Sequence, residues 1–170
     1  MQRSLLLGCG NSREKKLYLD DVTEWVGELT TLDMNPNCGA DVVWNLDDRP
    51  LPFPDETFDE IAAYDVLEHM GRQGDWRGYF DEMAEYHRIL KPQGQFGIIV
   101  PIGRDYFADP GHCRFFSPNH FGFLCQKNYD ANLEQGRQIT DYRWYWKKNF
   151  DVGFIEQVED HHLAVVLIKT

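Results

Sequence analysis

The stretch Leu5-Leu6-Leu7-Gly8-Cys9-Gly10-Asn11-Ser12 (LLLGCGNS) decides the fold. Three leucines form a short, wholly apolar run, as a strand buried on both faces requires. Gly8 and Gly10 then frame a turn in which the backbone can approach a ligand closely. In α/β proteins such a strand-to-turn junction is where a bound cofactor sits. No third glycine follows, and the next residues, Arg13-Glu14-Lys15-Lys16, are charged. A dinucleotide pyrophosphate would ask for that glycine and for a helix N-terminus.

Working outward, strands are expected over 3–7, 29–33, 41–46, 58–64 and 95–100. A long aromatic and basic strand over 140–150 and a last strand over 162–169 complete the set. Asp20 to Val26 reads as a short amphipathic helix with apolar residues at 22, 25 and 26, and Asp21 with Glu24 resembles a capping box. The clearest helix spans Asp75 to Leu90, where Trp76, Phe80, Met83, His87 and Leu90 form one stripe. Pro50, Pro52 and Pro54 make an extended loop, Asp105 to Phe116 an irregular one, and Ser117-Pro118 opens a short helix. The expected fold is α/β, a doubly wound, mostly parallel, seven-stranded Rossmann-like sheet with an antiparallel terminal strand, in a single domain over 1–170.

The chain has 170 residues and a net charge of −11, so its surface repels phosphate backbones and nucleic acid is not an expected partner. Lys147-Lys148 with Arg143 is the one basic cluster that opposes this. The four cysteines, Cys9, Cys38, Cys113 and Cys125, form no CxxC pair, so no metal site is expected and they read as free thiols. Met1-Gln2-Arg3 leads directly into a core-like strand rather than a signal peptide, and no apolar run approaches the roughly 18 residues of a membrane span. The expected location is cytoplasmic, with no membrane contact.

Ligands of such a sheet bind beyond the carboxyl ends of the strands. Gly8-Cys9-Gly10-Asn11, Asp33-Met34, Asp47-Asp48 and Tyr64-Asp65-Val66 should converge there, together with the loop after Val100. Asp33 ends the second strand about 20 residues after the glycines, where a carboxylate can accept ribose hydroxyls. Asp47 ends the third, where it can accept an exocyclic amine.

Taken together, LLLGCGN, LDMNP, NLDDRPLPFPDETFDEIAAYDVLEHM and YHRILKPQGQFGIIVP resemble the class I S-adenosylmethionine-dependent methyltransferases over roughly residues 3 to 125. The likeness is greatest to the small branch with "methyltransferase type 11" domains. It implies S-adenosylmethionine as cofactor and S-adenosylhomocysteine as product. It implies that Gly8, Cys9, Gly10 and Asn11 lie against the methionine part. Asp33 would hold the ribose, with Met34 packing beside the adenine, and Asp47 would face its amine, with Leu46 as its backbone neighbour. Tyr64, Asp65 and Val66 would lie beneath the sulfonium. A sulfonium and an ammonium are cations, and acidic and aromatic neighbours suit them. An NAD-dependent reading lacks the third glycine and a second catalytic domain.

The loop DPGHCRFFSPNHF, Asp109 to Phe121, resembles a pattern that borders the acceptor in some of these proteins. His112 is the first candidate general base and His69 the second, since an oxygen acceptor must lose a proton. His69, His112 and Arg114 are the candidate acceptor residues. Alternatively, His112 and Arg114 only order the loop, for example through an Arg114–Asp109 pair. His87 reads as a core residue, His120 stays open, and His161-His162 carries no role. Tyr142, Trp144 and Trp146 should share one strand face, as sheet packing or as a wall for a sugar ring. The expected activity is methyl transfer to oxygen or nitrogen of a small-molecule or sugar acceptor. The alternative is a non-catalytic cofactor-binding or partner subunit of the same fold. No segment precedes the first strand to act as a lid, so the site is expected to be open or closed by another chain, as in a homodimer.

Overall fold

The computed structural model describes residues 1–18, 22–158 and 161–170. These form a seven-stranded sheet in the order β3-β2-β1-β4-β5-β7-β6. The strands are β1 (Arg3–Leu7), β2 (Glu28–Asp33), β3 (Val42–Val43), β4 (Phe58–Tyr64), β5 (Leu90–Pro101), β6 (Phe150–Val158) and β7 (His162–Lys169). The first five are parallel, and β7 enters antiparallel between β5 and β6. Strand order reverses between β1 and β4, which opens a crevice above their carboxyl ends.

Alternation along the strands divides the core. Leu5, Leu7, Ile61 and Ala63 face the larger cluster, while Leu6, Ala62 and Tyr64 face a smaller one. Helix α1 (Trp76–Ile89) covers the larger face with Phe80, Met83, Tyr86 and Ile89 buried. Asp75 caps it, its side chain accepting from Gly78 N at 3.0 Å, a contact worth about 1 kcal/mol. His87 lies on the buried stripe, 5.1 Å from the Phe150 ring, and burial lowers its pKa to about 4.

Several expectations change. Residues 22–26 hold no helix, and the Asp20–Asp21 start with its capping box lies outside the described residues. Instead, an irregular segment packs on the smaller face. Trp25 Nε1 donates to Arg13 O at 2.7 Å, and Lys15 pairs with buried Glu60 at 2.8 Å. Partial burial of Trp25 against the smaller cluster, with its hydrogen bond to Arg13, outweighs the weak periodicity there. The third strand shortens to Val42–Val43 because the next chain turns toward the crevice. The strand expected over 140–150 is absent. Tyr145 and Trp146 both donate to Tyr142 O at 2.8 Å, which makes a turn. Trp146 is buried and Trp144 exposed, so the aromatic run shares no single face. The late strand pair is therefore β6 and β7, with β6 beginning at Phe150. Three short helices, α2 (Gly103–Tyr106), α3 (Pro118–Gly122) and α4 (Gln126–Glu134), follow β5. α3 resolves His120. It completes a capping box with Ser117, its Nδ1 taking the Ser117 N–H at 3.0 Å.

Candidate functional site

A cavity of about 390 Å³ opens at the switch point, lined by Gly8, Asp33, Met34, Trp44, Leu46, Asp47, Asp65, Val66 and His69 among others. The turn after β1 is drawn tight against β4. A Cβ on Gly8 would stand 2.3 Å from Val66 Cγ2, and Gly8 has φ +57°, so only glycine fits. Asp33 holds the same turn from the other side. Its Oδ2 accepts from Gly10 N and its Oδ1 from Asn35 N, both at 2.8 Å. Trp44 N donates to Asp33 O at 3.0 Å, which carries the chain from β2 to the cavity wall.

Asp33, Asp47 and Asp65 bring acidic side chains to one cavity, a setting that favours a cationic ligand. Asp65 is held from two sides, by Lys16 at 2.9 Å and by His162 Nε2 at 3.2 Å. His162, assigned no role from the sequence, thus reaches the site from β7. The remaining predicted residues stand around this cavity rather than on it. Cys9 and Tyr64 point into the smaller core, and Asn11 is exposed on the turn. Tyr64 OH accepts from Leu17 N at 3.3 Å, and burial pushes its pKa up to about 12.

Beyond Val66 the chain makes a 3-10 turn, Leu67–His69. The loop after β5 is zipped to it: Cys113 N and Arg114 N both donate to Glu68 O, at 2.7 and 3.0 Å, and Gln73 N donates to Cys113 O. This brings His112 beside His69, ring centroids 4.6 Å apart and edge to face. A Cβ on Gly111 would lie 3.2 Å from His69 Nδ1, so glycine there leaves room for the imidazole. His69 is exposed and lines the cavity. The His112 side chain is 9% exposed, with Nδ1 2.6 Å from Tyr106 O and Nε2 3.8 Å from Glu68 Oε1. Glu68 is the residue that sequence reasoning missed. It is 1% exposed, and burial raises its carboxyl to about 7. Its position between Leu67 and His69, on a buried turn that no periodicity marks, gave no signal.

Arg114 does not pair with Asp109, which instead accepts from Gly111 N at 2.7 Å. Arg114 is buried and donates to Glu82 at 2.6 Å and to Leu67 O at 3.2 Å. Glu82 also accepts from Tyr86 OH at 3.1 Å. The two-residue reach from His112 to Arg114 therefore locks the loop onto α1. Arg114 borders a second cavity of about 190 Å³, walled by Trp76, Tyr79, Phe80, Phe123 and Tyr142. Within the basic cluster near the end, Arg143 pairs with Asp141 and Asp130 at 2.7 Å each, and Lys147 donates to Arg143 O at 2.7 Å.

The family model described as "Methyltransferase domain" matches residues 5–98. The human protein named "Probable tRNA methyltransferase 9B" is 34% identical over 97 residues, which make up 55% of this chain and 20% of that one. The chain thus matches a fifth of that relative's length. Among solved structures, a SAM-dependent methyltransferase from Archaeoglobus fulgidus is 15% identical with a TM-score of 0.59, covering 99% of this chain and 86% of that one. A complex of the Trm112 methyltransferase activator with a methyltransferase from Haloferax volcanii gives 17% identity and a TM-score of 0.53, covering 99% and 82%. At such identity the likeness is one of fold, and it agrees with the strand order.

Proposed function

The chain belongs to the methyltransferase-domain family, and on that footing we propose that it moves a methyl group from S-adenosylmethionine to an oxygen or nitrogen of a small-molecule or sugar acceptor. The observation that carries this is the cavity at the switch point, where Gly8, Asp33, Asp47, Asp65 and His69 meet. Its residues fit the cofactor. The Gly8 turn brings backbone to the cavity wall, where Val66 takes the space a Cβ would need, Asp33 and Asp47 offer acceptors for hydroxyls and an amine, and Asp65, held by Lys16 and His162, adds a carboxylate. When bound, the cofactor supplies an electrophilic methyl on a sulfonium.

The protein's part is to place the acceptor in line and to manage its proton. His69 meets the acceptor, because it lines the cavity. His112 acts through His69 as a positioning residue, since its own nitrogens face Tyr106 O and Glu68. Arg114 fixes the loop that carries His112 and borders the aromatic second cavity, which suits a ring-shaped acceptor portion.

A nucleic-acid acceptor has one observation in its favour, the name of the human relative. The net charge of −11 opposes it. The Haloferax complex supports keeping a partner-dependent form of the enzyme as the alternative. Calorimetry with S-adenosylmethionine, then transfer of a labelled methyl to a panel of sugars and phenols, tests the proposal. Absence of cofactor binding at millimolar concentration removes it. Binding without transfer until a partner protein is added favours the alternative.

A further inference from the structure

We propose that Glu68, His69 and His112 form a binding site for one divalent transition-metal ion at the acceptor end of the cavity. One donor atom from each residue lies within 4.8 Å of the other two. Around a tetrahedral ion with bonds of 2.0–2.2 Å, ligand atoms stand roughly 3.4 Å apart. The observed spread closes to that with an inward shift of about an ångström.

Two features point to a cation rather than to chance proximity. The first is Glu68. Its side chain is 1% exposed, and neither carboxylate oxygen has a hydrogen-bond partner among the described residues. Burying an unpaired carboxylate is costly, and such a group takes up a proton, is paired, or coordinates a metal. Its place is enforced from outside, because Cys113 N and Arg114 N both hold the Glu68 carbonyl.

The second is the polarity of His112. A backbone carbonyl only accepts, so the 2.6 Å contact to Tyr106 O puts a proton on Nδ1. In the neutral ring Nε2 then carries a lone pair, and it faces Glu68 Oε1 at 3.8 Å. A shared proton would draw these atoms to about 3.2 Å or less. A lone pair opposite a carboxylate at wider separation is the arrangement of two ligands with an ion between them. Metal-binding histidines almost always donate their other ring N–H in this way, often to a backbone carbonyl.

Two imidazoles and one carboxylate suit zinc, iron(II), manganese or cobalt better than calcium or magnesium, and they leave coordination positions free. His69 lines the cavity, so those positions open toward the acceptor. The proposal rests on the methyltransferase reading only for its purpose: an acceptor hydroxyl on the ion would lose its proton more readily, as zinc-bound water does. The binding site itself does not need that reading. A second trio, Cys9, Asp33 and Cys38, also gathers ligand atoms. There, however, each thiol already donates to a backbone carbonyl and Asp33 accepts from two N–H groups, so it serves as the control.

The test is titration of the metal-free protein with Co²⁺, read by visible d–d absorption. The expected result is saturation near one equivalent with no thiolate-to-cobalt charge-transfer band. Loss of outer partners alone costs 10–100-fold in affinity, so Glu68→Gln and the exposed His69→Ala should each weaken binding by more than about a hundredfold, while Cys38→Ser leaves it unchanged. A featureless titration, a thiolate band, or a spectrum indifferent to both ligand substitutions overturns the proposal. Calorimetry with S-adenosylmethionine on the same samples separates the two readings. Cobalt binding without cofactor binding keeps this site and sinks the methyltransferase proposal, and the reverse result sinks this site alone.

Discussion

Asp33 Oδ2 accepts a 2.8 Å hydrogen bond from Gly10 N, so the acid that ends β2 holds the turn that ends β1. Asp33→Asn replaces a charged acceptor with an amide whose NH₂ group cannot accept. Hydrogen bonds to charged groups are worth about 1.5–3 kcal/mol. S-adenosylmethionine affinity should therefore fall by roughly ten- to a hundredfold in calorimetry, with the circular dichroism spectrum unchanged. Undiminished affinity would remove Asp33 from the site.

Gly8→Ala places a methyl 2.3 Å from Val66 Cγ2 at φ +57°. Two costs add here, the clash and the left-handed backbone, the latter about 1–2 kcal/mol. Melting temperature and cofactor binding should both drop. The double variant Gly8→Ala/Val66→Ala relieves the clash alone, so it should recover part of the binding and not all of it. Full recovery would show that the backbone conformation is not strained for alanine.

The Arg114–Glu82 pair is buried on both sides. Removing one partner of such a pair costs about 3–5 kcal/mol, because a lone charge stays behind. For a chain of this size Arg114→Ala should lower the melting temperature by roughly 6–20 °C. The double change Arg114→Met/Glu82→Leu should cost less than Arg114→Ala alone in thermal denaturation. An additive loss would contradict the pairing.

His87 gives a pH signature. Its native pKa of about 4 lies below its ordinary value of 6.5, first because it is buried and then because Lys169 and Lys148 are near. The unfolded chain therefore binds the proton more readily between those values. Stability from this group is complete above about pH 6.5 and is lost as pH falls toward 4. His87→Leu should flatten the acid side of the stability curve measured by urea titration. An unaltered slope would mean that His87 is solvated in the native state.

Most of the cavity was legible in the sequence, because strand ends followed by glycine or aspartate report local chain geometry. Gly8, Asp33, Asp47 and Asp65 were found that way. The long helix was legible for the same reason, its stripe from Trp76 to Leu90 being periodic. What escaped depends on contacts distant in sequence. Glu68 meets His112 across 44 positions, and His162 reaches Asp65 from the last strand. The aromatic run from Tyr142 to Trp146 misled because strand propensity measures fit to a half-buried surface. Here Trp146 instead goes into the main core, where its Nε1 donates to Leu124 O at 2.9 Å.

The place of β7 has a consequence for synthesis. It pairs with β5 from Gln95 to Pro101 and with β6 on its other side, yet it follows every other strand in chain order. While the ribosome is still producing residues up to about 161, the β5 edge has no partner. Open strand edges of this kind invite pairing with other chains. The sheet is therefore closed only once Leu163 to Leu167 have emerged and taken their place between β5 and β6.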